Sequence, residues 1–217
     1  MSSIGTGYDL STSTYSPDGK LFQLDYAQKC VDSSGTTIAI NCIDGVVLAT
    51  ESLIHSKLLV KSNKRLASAD VHVAVGSSGL VADARQLVNR TRQEAAQYRK
   101  TYKQDIPALV LVEKVSQFIH AYTLYSSVRP FGVSIILALY QDKPNLYMID
   151  PTGLYYAYNA CAIGKGKQVA KNELEKINFK TMTCRQAVIE AARMYFLFNL
   201  VSILYTMKQK TRNLSWK

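Results

Sequence analysis

Thr36 and Thr37 stand side by side in "SSGTTIAI", at the mouth of an apolar alternating run. A threonine hydroxyl at the free amino end of a chain can act as a nucleophile, with the α-amine of the same residue as its base. That chemistry requires the bond before the threonine to be cut, because an amide nitrogen has no basic lone pair. Residues 1–35 read as a working arm and helix, not as a disposable leader. The pair is therefore expected to open a strand, which suits their branched side chains. An N-terminal threonine peptidase is the alternative enzymatic reading.

Other candidate chemistry is thinner. "IGKGK" (163–167) precedes a helical stretch, but a phosphate-binding loop needs G-x-x-x-x-G-K-[ST], and Gln168 stands where the hydroxyl should be. A glycine turn feeding a basic helix is expected instead. Asp150, before Pro151 and Gly153, is a turn residue whose carboxylate can bond local amides. Cys30, Cys42, Cys161 and Cys184 are dispersed, as reduced thiols packed as small hydrophobes would be. His55, His72 and His120 are equally scattered, so no zinc site, no Ser/His/Asp set and no cofactor is expected.

The chain has 217 residues, 47% hydrophobic and 19% charged, enough for one domain with a real core. Its formal net charge is +10, yet the cations are scattered, and the densest group is Lys208, Lys210 and Arg212. Such charge supports solubility or an acidic partner rather than specific nucleic-acid binding, although a basic nucleic-acid-binding protein is the second alternative. "MSSIGTGYDLSTST" has neither a basic nor an apolar region of a secretory signal. "MYFLFNLVSILYTM" (194–207) is uncharged but falls short of the ~20 apolar residues of a membrane span, so a buried helix is expected there.

The elements that must position these residues follow from periodicity. Residues 1–17 form a small, polar arm, and "SPDG" (16–19) a turn. A short helix follows in "LFQLDYAQKCV". "TTIAINCI" and "GVVLATES" flank Asp44-Gly45, a hairpin signal read as a type I′ turn. "HVAVGSS" is a strand. Residues 80–102 and a segment entered by Pro107 are amphipathic helices. "GVSIILALY" and "NLYMID" are strands, and "LYYAYNACAIG" alternates tyrosine with alanine. Residues 167–177 are helical, and Thr183 with Gln186 has capping-box spacing for a last helix. Runs of strands followed by runs of helices favour an α+β layered domain over a parallel sheet.

"GYDLSTSTYSPDGKLFQLDYA" (7–27) resembles the signature of proteasome α subunits. "DGVVLATES", "SKLL", "GLVADARQLV", "YTLYSSVRPFGVS", "LYMIDPTG" and "AIGKGKQVAK" follow in that family's order. The blocks "IGTGYDLS", "NKRL" and "HAYTLYSSVRPFG" look most like the subunit type at the seventh position of the α ring. The resemblance implies a four-layer αββα sandwich, the N-terminal nucleophile hydrolase fold, with an arm over residues 1–19 and the subunit domain over 20–217. Laid on the related proteolytic β subunits, Gly35 falls in the nucleophile column, so the resemblance implies no catalytic residue.

It implies instead a place in a heteroheptameric α ring of the 20S core, against β-ring subunits, with regulatory-particle ATPases or other activators docking on top. No membrane is implied. The work is ring assembly, pore gating and activator docking in ubiquitin-dependent degradation, in cytoplasm and nucleus. The family's gate cluster matches Tyr8, Asp9, Pro17 and Tyr26, and its pocket for an activator's terminal carboxylate matches Arg65, with Lys64 as the neighbouring choice. From about residue 194 the sequence departs from the family, an apolar stretch replacing charged residues. A truncated or atypical end is expected there, and a true end at that point would cost the fold an edge strand.

Overall fold

The computed structural model describes residues 7–51, 56, 58, 65–179, 181–197 and 202–208. Its elements run α1 (Phe22–Asp32), β1 (Thr37–Cys42), β2 (Gly45–Glu51), β3 (Leu66–Asp70), β4 (Val73–Gly79), α2 (Val81–Tyr102), α3 (Ala108–Leu124), β5 (Val133–Tyr140), β6 (Pro144–Ile149), β7 (Tyr155–Ala157), β8 (Ala160–Ile163), α4 (Lys167–Leu174), α5 (Cys184–Leu197) and β9 (Ser202–Lys208). Two antiparallel sheets result, ordered β8-β1-β2-β9 and β3-β4-β5-β6-β7.

Period-two alternation builds the layers, because successive side chains of a strand face opposite sides. On the first sheet, Ile38, Ile40, Val47 and Ala49 pack with Ala170, Leu174, Ala187 and Ala191 of α4 and α5. Their neighbours Ala39, Val46 and Leu48 turn inward and meet Ala74, Ile136 and Ala138 of the second sheet. The outer face of that sheet, Val73, Val75, Ile135 and Leu137, packs on Leu87, Leu111, Val115 and Ile119 of α2 and α3. Helices, sheet, sheet, helices: the α+β sandwich expected from the sequence is the observed architecture. Each fully buried Leu or Ile in these cores contributes roughly 1.5–3 kcal/mol.

Three local expectations change. The hairpin forms, but Cys42 pairs with Gly45, so the two loop residues are Ile43 and Asp44. Neither has positive φ, so the turn is not type I′. Tertiary bonds hold it instead: Ile43 N–H donates to Met182 O at 3.1 Å, and Cys184 N–H to Asp44 Oδ1 at 2.7 Å. The tyrosine–alanine stretch splits, β7 joining β6 in one sheet and β8 joining β1 in the other.

The third change lies at the end of the chain. Residues 202–208 are not helical; they pair antiparallel along all of β2, from Glu51–Ser202 to Gly45–Lys208. Every residue of β2 is buried, so its outer edge needs a partner for its backbone groups. "SILYTMK", rich in β-branched and aromatic residues, supplies one. The edge strand that a truncated end would cost is supplied by residues 202–208.

Candidate functional site

Gly35 sits between the end of α1 and the start of β1, and it is tied down on all sides. Its carbonyl accepts from Ser78 Oγ at 2.8 Å. A Cβ on Gly164, whose φ is +98°, would lie 2.6 Å from that same carbonyl, so only glycine lets this turn approach so closely. A Cβ built on Gly35 itself would stand 3.4 Å from Arg65 Nε and 3.5 Å from Glu51 Oε2. A cation and a carboxylate thus flank the position, but glycine brings no hydroxyl to it.

The adjacent hydroxyls are committed elsewhere. Thr36 Oγ1 accepts from Gly166 N–H at 3.0 Å. Thr37 Oγ1 bonds Thr50 Oγ1 and donates to Ser77 O, both at 2.9 Å. Both residues are fully buried. Thr36 N is an amide donating to Glu51 Oε2 at 3.0 Å, the opposite of a basic amine. Neither hydroxyl is poised as a nucleophile, and both threonines open a strand.

Arg65 enters this region from the residue before β3. Its Nη1 donates to Gly79 O at 3.0 Å, and its own carbonyl accepts from Ser77 N and Ser77 Oγ, each at 3.0 Å. Burial pulls the guanidinium below its ordinary value, opposed by the Glu51 carboxylate. The Arg65 side chain is thus half inside the fold, against Gly35. Lys64 lies outside the described residues.

The arm is anchored from α1. Leu21 enters the helix without a side-chain cap, so the preceding turn sets its direction. That turn is closed by Gly19 N–H to Ser16 O at 2.9 Å, with Gly19 at φ +73° and Pro17 inside it. Gln23 and Tyr26, one turn apart on α1, both face Asp9. The Gln23 amide donates to Asp9 O, and Tyr26 Oη donates to Asp9 Oδ2 at 3.4 Å. Desolvation and the Asp9 charge hold the Tyr26 hydroxyl above its ordinary value. At 3.4 Å this is a loose contact, well beyond the 2.5–2.7 Å of a strong charge-assisted bond. Tyr8 is partly exposed, and no hydrogen bond joins it to the other three.

Two arm-holding residues have no place in the expected cluster, Gln23 and Thr12. Gln23 is legible from its i, i+3 spacing to Tyr26. Thr12 Oγ1 donates to Tyr125 O at 2.9 Å across 113 positions, a distance at which sequence carries no local signal.

Asp150 acts as expected, its Oδ1 accepting from the amides of Thr152 at 2.9 Å and Leu154 at 3.1 Å. Among the described residues there is no group of three potential metal ligands, and no helix long and apolar enough to cross a membrane.

Comparison with known proteins bears on these same residues. The proteasome family model matches residues 31–195, and the model of the N-terminal signature of A-type proteasome subunits matches residues 8–29. The chain is similar to the proteasome alpha type-3 subunit of Dictyostelium discoideum, 53% identical over 198 residues, which covers 90% of this chain and 80% of the relative. It is likewise similar to the proteasome alpha type-3 subunit of Arabidopsis thaliana at 50% identity, with the same coverage. A probable proteasome alpha type-7 subunit of Saccharomyces cerevisiae is 48% identical over 202 residues, 91% of this chain and 70% of the relative.

Proposed function

This chain belongs to the proteasome subunit family, on its α side, and from that premise we propose that it is a non-catalytic α-ring subunit of the 20S core. The observation that carries the reading is Gly35. It lies beside Glu51 and Arg65, at the position that the resemblance to the proteolytic β subunits gives to the nucleophile, and it has no side chain.

In this role the chain fills one place in a heteroheptameric α ring, resting on β-ring subunits. Residues 1–19 form the gating arm. Asp9 and Tyr26 steady its base and Pro17 fixes φ in the turn that aims it, Tyr8 being assigned with them by the family resemblance alone. Regulatory-particle ATPases or other activators dock on the ring. The resemblance assigns an activator's terminal carboxylate to Arg65 or its neighbour Lys64; Arg65 is bonded to Gly79 O and faces Gly35 and Glu51, so the charge-assisted bond falls to Lys64. The particle serves ubiquitin-dependent protein degradation in cytoplasm and nucleus.

Affinity purification of the tagged chain from eukaryotic cells, followed by native mass spectrometry, tests the reading. One copy per α ring in a 20S particle is expected. Recovery as a free monomer, or peptide hydrolysis by the isolated chain, would contradict it.

A further inference from the structure

Thr12 is out of character with its surroundings. Leu10 is 85% exposed and Tyr15 66%, yet Thr12 between them is only 2% exposed. Its hydroxyl is spent on one acceptor, the carbonyl of Tyr125, at 2.9 Å. Tyr125 caps the C-terminal end of α3 in extended geometry, φ −114° and ψ 136°. It opens the loop that leads to β5.

That loop is held more firmly than its exposure suggests. Arg129 makes a two-pronged contact with Asp83 on α2, Nη1 to Oδ2 at 2.7 Å and Nη2 to Oδ1 at 2.8 Å. Such fork-to-fork pairing fixes orientation as well as distance. Gly132 N–H also donates to Asp83 Oδ2 at 3.0 Å. Gly132 O accepts from Leu80 N–H at 2.9 Å, just ahead of α2. Phe131, between them, is buried against Tyr122 and Phe118 of α3, with ring centroids 4.5 Å and 5.8 Å apart. One carboxylate, Asp83, therefore ties the loop to α2 at two points.

We propose that residues 125–132 are the seat of the N-terminal arm, with Thr12 as the residue clamped there and the Asp83–Arg129 pair as the device that holds the seat in place. The inference rests on the gating role given to the arm above and extends it to residues outside the expected cluster. Thr12, Asp83 and Arg129 are positioning residues. The arm is pinned at Asp9 by Gln23 and again at Thr12, three residues on. The second pin transmits any movement of the 125–132 loop directly into the arm. A change in the loop, such as a neighbouring subunit leaning on exposed Tyr125, would thus pull the arm against its Asp9 pin on α1.

The test uses particles containing the full chain, with two readouts: the rate of chymotrypsin cleavage after Leu10, followed by mass spectrometry, and the hydrolysis of a short fluorogenic peptide. Thr12→Val keeps the shape and removes the hydroxyl. It should speed arm cleavage about five- to tenfold, as expected for losing one buried hydrogen bond. Thr12→Ser should restore the wild-type rate. Asp83→Asn should also speed cleavage and should add little to Thr12→Val, because both act through one contact. Where Thr12→Val particles fail to assemble, Arg129→Lys, which cannot make the fork, gives the same readout. Unchanged arm cleavage in these variants would overturn the seat. Faster cleavage with unchanged peptide hydrolysis would uphold the seat and overturn the gating role.

Discussion

The backbone amide of Thr36 donates to the carboxylate of Glu51 at 3.0 Å. An amide that gives its hydrogen to an acid is the reverse of an amine that takes a proton from a hydroxyl. The same Glu51 carboxylate lies beside the position of the Gly35 Cβ, together with the Arg65 guanidinium. A carboxylate and a guanidinium thus flank a glycine, the carboxylate bracing the start of β1 and the guanidinium bonding the end of β4.

Thr36→Val tests whether that hydroxyl is structural. It removes the acceptor for Gly166 N–H, which should cost about 1–3 kcal/mol of stability. Peptide hydrolysis per assembled particle should not change. Thermal unfolding and a fluorogenic peptide assay read the two outcomes separately. Lost hydrolysis at full stability would mean the hydroxyl takes part in chemistry.

Tyr195 ties α5 to the hairpin, its hydroxyl donating toward Ala49 O at 2.8 Å and Thr36 O at 3.2 Å. Burial holds that hydroxyl well above the usual tyrosine range, so it stays a donor at all physiological pH values. Tyr195→Phe should lower stability by about 1–2 kcal/mol with the fold intact, since Thr36 O keeps Glu51 N–H as a partner. Denaturant unfolding measures the difference; no change would mean that the bond is not formed.

Asp83 gives a pH dependence. Burial pushes its carboxyl up, but the Arg129 fork and the Gly132 amide outweigh burial and leave it below its ordinary value. A depressed carboxylate stabilises the fold above the pH at which the unfolded group ionises, and that stabilisation fades as pH falls through the folded value. The gap in stability between wild type and Asp83→Asn should therefore be constant from about pH 5 to 8 and close below about pH 4. Urea titrations across this range show it. A gap that widens in acid would contradict the ion pair.

The thiols separate by accessibility. Cys161 is buried between the sheets, and desolvation pushes its thiol up to about 12, whereas Cys30 is half-exposed. Brief treatment of the native protein with a maleimide should modify Cys30 and spare Cys161. Equal labelling of the two in the folded state would mean that the inter-sheet core is open.

Much of this fold is legible in the sequence, and the reasons differ by element. The alternation in "TTIAINC" and "GVVLATE" specifies two buried strands because both faces are covered, by α4 and α5 on one side and the second sheet on the other. The Thr183–Gln186 box forms as its spacing implies, Thr183 N–H bonding Gln186 Oε1 at 3.0 Å. The Asp44-Gly45 signal finds the hairpin but not its geometry, because Met182 and Cys184, far along the chain, bond its loop. The break at Tyr158-Asn159 is hidden for a similar reason: periodicity continues while the chain changes sheets. At the arm, Asp9 and Tyr26 come from motif resemblance. The Thr12–Tyr125 bond joins residues with no periodic or local relation, so only the fold reveals it.

The most direct measurement is the intact mass and active-site labelling of this chain within purified 20S particles exposed to a threonine-directed covalent inhibitor. Expected is a chain that still carries the residues before Gly35 and bears no adduct, while other subunits of the same particle are modified. A chain cut to begin at Gly35, Thr36 or Thr37 and carrying the inhibitor would contradict a non-catalytic role.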